Sequence, residues 1–306
     1  REEGGAVALG RVLTLVIATA PGHEEEAIEA ANDASREHPM RVIVVSRAED
    51  RSDERARLDA EIRVGGDAGA SEVILLHAMG AAADDEESLV TGLLLPDAPV
   101  VAWWPGAAPE VVSRSPIGRI AQRRITDASA QADPQAALRR VADTYTPGDT
   151  DFAWTRLTNW RALLAAVLDQ PPYEAVDRVR VHGAPDSPST VLLAAWLGLM
   201  LQTEVEHELS DRDTGTSGIH SVTLHRASGP IELDRAVPAV ATLTQPGQPT
   251  HHIALPRRSL RDCLAEELRR LAPDDLFGEV LSRGLADLPD ATLEGATPAP
   301  TGGPTT

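Results

Sequence analysis

Several residue sets in this chain are of types that do chemistry, and each can be held against the spacing its chemistry requires. Gly65-Gly66-Asp67-Ala68-Gly69 has the composition of a phosphate cradle. It lies between an alternating run, Ala60 to Val64, and an apolar run, Glu72 to His77, so no helix start is available to face an anion and a turn is expected. Asp84-Asp85-Glu86-Glu87 offers four carboxylates, but successive helical positions point in different directions and acids favour helix starts; the expectation is a solvated cap. His251 and His252 fall on opposite faces of a strand, and Glu206-His207-Glu208 lacks the i, i+4 spacing of a zinc helix. Gly215-Thr216-Ser217-Gly218 does not fit a nucleophile elbow. Cys263 shares a helical face with Leu260, Leu264 and Leu271, where a buried, inert thiol is expected. All 28 basic residues are arginine, which excludes Schiff-base and P-loop lysine chemistry. No catalytic, cofactor or metal site is assigned.

Tryptophan and arginine, by contrast, are concentrated. Trp103 and Trp104 end an apolar run, Arg119, Arg123 and Arg124 follow, and Trp154, Arg156 and Arg161 open a helical stretch with Trp160. The whole chain has five tryptophans, two tyrosines and two phenylalanines, and Trp and Arg are the commonest anchors of protein interfaces. Trp103, Trp104, Arg119, Arg123, Arg124, Trp154, Arg156 and Arg161 are therefore the candidate partner-binding residues. The competing structural reading puts Trp103 and Trp160 in the core and pairs the arginines with nearby carboxylates. A third reading makes Arg123 and Arg124 an anion clamp for a sugar phosphate or nucleotide, as in a decayed enzyme.

The elements that carry these residues follow from periodicity. Val12 to Ala18 and Arg41 to Ser46 are aliphatic runs typical of strands buried on both faces, with a helix over Glu24 to Glu37 between them. Pro99 to Trp104 is a further strand, Glu86 to Leu95 and Pro134 to Asp143 are helices, and Pro147-Gly148 marks a boundary. Phe152 to Leu168 has helical spacing throughout. Val176 to Val181 alternates, and Ser187-Pro188 opens a helix apolar on every side. Gly218 to His225, Pro230 to Leu233, Val237 to Leu243 and His251 to Leu255 form a β-meander, and Ser259 with Asp262 caps a last helix. The expected class is α/β, with α+β character in the C-terminal half: a mainly parallel sheet flanked by helices, then a second α/β half with the meander. The expected domains are 1–148 and 149–289, with 290–306 a disordered tail.

With 306 residues and 42% hydrophobic content, the chain can bury two cores. Its formal net charge of −19 repels phosphate backbones and anionic lipid, so neither nucleic acid nor membrane is an expected partner. No apolar run is long enough to span a bilayer, the first ten residues lack the features of a signal peptide, and one cysteine cannot form an internal disulfide. A cytoplasmic location and a truncated or processed amino terminus are expected.

Long ordered runs carry a family resemblance. Ala30 to Pro39, Arg57 to Gly65, Leu93 to Pro105, Ala121 to Asp127 and Asp143 to Arg161 resemble the glucose-6-phosphate dehydrogenase assembly proteins of actinobacteria, the OpcA family. Leu193 to Leu197 and Glu266 to Leu271 extend it more loosely over nearly all the chain except the tail. The resemblance implies a non-enzymatic effector that binds and activates glucose-6-phosphate dehydrogenase at the opening of the oxidative pentose phosphate pathway. It assigns no catalytic residues and no cofactor.

No second cysteine is present to resolve an oxidised Cys263, so any regulation through this chain is expected to be insensitive to reductant. Assaying its effect with and without dithiothreitol tests this. A reductant-dependent effect that Cys263→Ser abolishes would contradict it.

Overall fold

The structure, a computed structural model, describes residues 12–47, 55–64, 72–210, 217–289 and 291–293. Residues 65–69, for which a turn is expected, Gly215, Thr216 and most of the expected tail lie outside the described residues. The chain divides into two compact units, 1–158 with 258–281, and 159–257 with 282–306.

In the first unit the aliphatic runs become β1 (Leu13–Thr19), β2 (Met40–Arg47), β3 (Arg57–Arg63), β4 (Glu72–Met79), β5 (Val100–Trp103), β6 (Arg123–Thr126) and β7 (Asp149–Asp151). Their order is β3-β4-β2-β1-β5-β6-β7; all neighbours are parallel except β3, which runs antiparallel along β4. The helices of the chain are α1 (Glu24–Ser35), α2 (Glu86–Thr91), α3 (Pro116–Ile120), α4 (Pro134–Thr144), α5 (Phe152–Thr155), α6 (Thr158–Leu168), α7 (Pro188–Leu201), α8 (Leu260–Arg269) and α9 (Asp275–Glu279). Strands without a polar face must be covered twice. On one side, Ala27, Ile28 and Ala31 of α1 and Cys263, Leu264 and Leu268 of α8 share a core with Leu15, Val42 and Trp103. On the other, Val90 of α2 and Ile117 of α3 join Val16, Ile43 and Trp104.

The second unit carries β8 (Arg178–Gly183), β9 (Glu204–Leu209), β10 (Ile219–His225), β11 (Ile231–Val237), β12 (Val240–Thr244), β13 (His251–Ala254) and β14 (Thr292–Leu293). Their order is β13-β12-β11-β10-β8-β9-β14. The expected meander is β10 to β13, antiparallel throughout. β8 and β9 run parallel and are connected through α7, whose Ser187 side chain accepts from the Thr190 amide. Gly183 is required where β8 meets α7, since a Cβ there would stand 1.9 Å from Thr190 Oγ1.

Four expectations change. A cut between 148 and 149 assigned residues 258–281 to the second domain, but α8 packs with α1 in the first unit. The helix expected over Phe152 to Leu168 is two: Asp151 caps the single turn of α5, the Leu157 amide bonds to the Trp154 carbonyl, and α6 restarts at Thr158. The helix expected to reach Leu95 stops at Thr91. Within the tail, Thr292–Leu293 pairs with β9.

What docks α8 is a buried ion pair. Arg123 of β6 donates to Glu267 of α8 through two guanidinium nitrogens, with side chains only 5% and 6% exposed, and the third donates to the Ala272 carbonyl at 2.8 Å. The other oxygen of Glu267 accepts from the Thr155 hydroxyl. Thr158 reaches Glu266 at 2.7 Å, and the Ser259–Asp262 capping box is formed. Removing one member of such a pair leaves a buried charge without its counterion, at a cost of about 3–5 kcal/mol. Glu267→Gln is therefore expected to lower unfolding free energy by about that much, read by denaturant titration, with Arg123→Met/Glu267→Met recovering a large part. A cost for Glu267→Gln within the range of a surface substitution would refute the assignment.

Candidate functional site

Trp103 ends β5, Arg123 and Arg124 open β6, Trp154 and Arg156 follow β7, and the contacts these residues make are internal. β6 alternates, so its two arginines leave on opposite faces. Arg123 points to Glu267, whereas Arg124 points to Asp149 and donates to the carbonyls of Ala121 at 2.9 Å and Pro147 at 2.8 Å. Gly148 brings β7 close enough for this; its φ is +99° and a Cβ would lie 2.6 Å from the Gln122 carbonyl. Arg156 grips Asp127 with both terminal nitrogens, at 2.7 and 2.6 Å. Burial works against the charge of Arg156, yet those two bonds hold its pKa above the usual value.

The tryptophans are equally engaged. Trp103 is buried with its ring centroid 5.6 Å from that of Phe152, and Trp104 is buried on the opposite face of the sheet. Trp154 packs on Phe277 at 5.5 Å and donates its indole N–H to Asp274 at 2.9 Å. Trp160 of α6 is buried in the second unit, where the Arg235 guanidinium lies 5.8 Å from its ring centroid. Arg161, also on α6, is half-buried. Arg119 alone of the eight candidates is exposed: its side chain is 56% accessible and pairs with Glu87 at 2.7 Å. The structure thus brings Trp103, Arg123, Arg124, Trp154 and Arg156 together as a paired frame and leaves Arg119 at the surface. With Arg123 and Arg124 each turned to a carboxylate, neither guanidinium is available to clamp an anion.

The acids that complete this frame, Asp127, Asp149, Asp151 and Glu267, were not among the sequence candidates. The available signal was chemical: two arginines inside a buried strand need carboxylates within reach. Asp151 is fully enclosed and accepts from the Thr126 hydroxyl at 2.6 Å and the Ala128 and Ala153 amides at 2.9 and 2.8 Å. It lines a cavity of about 30 Å³ with Thr126, Thr150 and Thr144, room for roughly one water.

A doubly wound sheet takes ligands where its strand order reverses, outside the carboxyl ends of the strands, with an anion at the first helix start. Here the reversal lies at β1, between β2 and β5, and the helix concerned is α1. Its first turn carries Glu24, Glu25 and Glu26. The buried Glu24 carboxylate accepts from Ser46 Oγ at the end of β2, 2.5 Å away, and lies 3.8 Å from the His77 ring. Burial opposes its ionisation, but Ser46, its own amide, that of Gly22 and His77 together hold its pKa below the usual carboxylate value. A buried carboxylate of the chain itself thus stands in the first turn of α1, where a phosphate would have to sit.

The remaining candidates resolve as structure. Asp85 caps α2, and Glu87 pairs with Arg119. Glu206 and His207 alternate across β9, the first 2.9 Å from Arg180 and the second buried. Burial pushes the Cys263 thiol up to about 12. Among the described residues no group of three or more His, Cys, Asp or Glu could hold a metal, and no helix is long and apolar enough to cross a membrane.

Comparison with known proteins gives two family matches. A family model described as the glucose-6-phosphate dehydrogenase subunit N-terminal domain matches residues 31–143, and one described as the C-terminal domain of the same subunit matches residues 147–281. No curated protein sequence matches the chain. Among solved structures, a putative oxidoreductase from Magnetospirillum magnetotacticum MS-1 is similar at 13% identity and a TM-score of 0.44, covering 90% of this chain and 99% of that one. Myo-inositol dehydrogenase from Lactobacillus casei is similar at 10% identity and a TM-score of 0.42, covering 90% and 93%. Likeness at this level says nothing of activity.

The frame has a pH signature. Burial, and after it the Asp127 charge, push Asp151 up to about 6, against the Thr126 hydroxyl and the two amides. An unfolded aspartate titrates near about 3.9. Between those values the folded chain holds a proton the unfolded chain has released, so Asp151 takes stability away as pH rises through that window. Wild-type stability relative to Asp151→Asn is therefore expected to fall as pH increases from about 4 to about 6, read by denaturant titration at both ends. A difference that does not change with pH would refute the assignment.

Proposed function

The chain belongs to the glucose-6-phosphate dehydrogenase subunit family, whose two domain models match residues 31–143 and 147–281, and from that membership we propose that it is a non-enzymatic effector that binds and activates glucose-6-phosphate dehydrogenase. The observation that carries the non-catalytic half is the start of α1, where the buried Glu24 carboxylate, bonded by the Ser46 hydroxyl, puts negative charge at the helix end that a dinucleotide phosphate would need. Arg123 and Arg124, the pair best placed by spacing for a sugar phosphate, are likewise turned to Glu267 and Asp149. An effector needs no chemistry of its own. A preference of about 1–3 kcal/mol for the active form of the dehydrogenase changes its populations 5- to 150-fold.

The Trp and Arg group enters this proposal in two roles. Arg119 is the member we expect to touch a partner, being exposed and held by a surface pair with Glu87 and a bond to the Arg114 carbonyl. The buried members, Trp103, Trp104, Arg123, Arg124, Trp154 and Arg156, hold the loops and strand ends that shape the surface above them.

The test titrates purified chain into the cognate dehydrogenase at subsaturating glucose 6-phosphate while NADPH is followed. Activity is expected to rise and saturate, the chain alone is expected to reduce no NADP, and Arg119→Glu is expected to raise the concentration for half-maximal effect. A flat response where binding is shown independently would reject activation. NADP reduction by the chain alone would reject the non-enzymatic reading.

A further inference from the structure

β3 is the edge of the first sheet, and among the described residues no strand lies beyond it. A free edge presents a row of unpaired backbone N–H and C=O groups, and proteins ordinarily blunt it with charge, a bulge or a cover. Here the blunting is one-sided. Arg57, Asp59, Glu61 and Arg63 lie on the face toward α1, where Arg57 pairs with Asp59 at 2.9 Å and Arg63 with Glu61 at 2.8 Å and Glu25 at 2.9 Å. Leu58, Ala60 and Ile62 lie on the opposite face, opposite Ala78, Leu76 and Ile74 of β4, and Val64 continues the row. Leu58 is 46% exposed, Ile62 64% and Val64 66%, while the neighbouring Ile74 and Leu76 are buried. The apolar row therefore extends the covered core past the last covered strand, on an edge still able to pair.

The charges on β3 discriminate among the ways a second copy could add to this edge. Antiparallel pairing about a two-fold axis keeps each face with itself. Centred on Ala60, it would set Arg57 against Arg63 and Asp59 against Glu61, and centred on Glu61 it would set that residue against itself; like charges directly opposite are destabilising. Centred on Ile62, it sets Glu61 opposite Arg63 twice, Ala60 opposite Val64 twice, and Ile62 against Ile62. A register centred on Leu58 also matches charge, Arg57 with Asp59 and Arg55 with Glu61, but sets neither Ile62 nor Val64, the two most exposed apolar residues of the row, opposite an apolar side chain.

We propose that β3 pairs with β3 of a second copy of this chain, antiparallel and centred on Ile62, joining the two first-unit sheets edge to edge through the apolar row and two Glu61–Arg63 cross-strand pairs. The shared strand is short, so the association is weak and concentration-dependent.

Analytical ultracentrifugation of the full chain over a hundredfold range of concentration should show a shift from monomer toward twice the monomer mass. Ile62→Lys, at an exposed position, should abolish the shift. Glu61→Arg places a second arginine opposite Arg63, and Arg63→Glu places a second glutamate opposite Glu61, so each variant alone should associate at least tenfold more weakly. Mixed in equal amounts, the two variants have opposite charges at all four positions and should recover most of the wild-type association, which a merely damaged fold would not. A wild-type chain that stays monomeric over the whole range overturns the proposal, as does an equal mixture no better than its parts. Undiminished pairing by Arg63→Glu also overturns it, because the Ile62-centred register sets that residue opposite Glu61 twice. If the chain stays monomeric and Ile62→Lys instead weakens its hold on the dehydrogenase, the edge belongs to that partner and self-pairing is overturned.

Discussion

The contact between Arg123 and Glu267 is the one on which the first unit most depends. The two residues are 144 positions apart, and their bond ties the sixth strand of the sheet to a helix that arrives only after residues 159–257 of the second unit. Two charges this deep recover their desolvation only when the remaining donors and acceptors are also satisfied. Thr155 and the Ala272 carbonyl satisfy them. Once α8 is held there, Cys263, Leu264 and Leu268 complete the core over β1 and β2, and the chain continues to Phe277, on which Trp154 packs. An apolar pair of similar volume would serve the core as well or better. What the ion pair adds is register, because a guanidinium and a carboxylate at fixed positions allow α8 fewer alternative seats than an apolar face does.

This changes what aromatic and cationic concentration means in such a chain. Trp and Arg are enriched in interface hot spots because they combine large apolar area with directed polar groups. The same combination suits the narrow layer between a parallel sheet and its helices, where backbone carbonyls at strand ends need donors. Arg124 meets two carbonyls and a carboxylate there, and Trp154 meets a ring and a carboxylate. Composition alone does not separate the two uses. The nearby acids do, and Asp127, Asp149 and Asp151 all lie within a few residues of the arginines or of their paired strand.

Much of the fold was legible because local pattern and tertiary role agreed. The βαβ unit from β1 to β2 read directly from its aliphatic runs, the meander from its alternation and turns, and α7 and α8 from their caps at Ser187 and Ser259. β6 was not legible, since Arg-Arg-Ile-Thr is a buried strand only when carboxylates from elsewhere take up its charge. β9 was hidden because Glu204 to Leu209 alternates cleanly only if His207 counts as an inward residue. The break after α5 was invisible to periodicity, because the apolar spacing of Phe152 to Leu168 runs through it. At the candidate site the Trp and Arg positions were legible and their orientation was not, since which side a strand residue faces depends on its register with neighbours.

The return of residues 258–281 to a unit that otherwise ends at 158 has a consequence for synthesis on the ribosome. Translation runs from the amino end, and at about 5–20 residues per second the intervening hundred residues take about 5–20 s to emerge. Throughout that interval the nascent sheet has α1 on its face but not α8, so the aliphatic side chains beneath α8 stand in water and Arg123 stands without Glu267. The first unit is therefore left incomplete until residues 258–281 emerge, and it is in the growing polypeptide that a trigger-factor type of holdase has an opportunity to act on it.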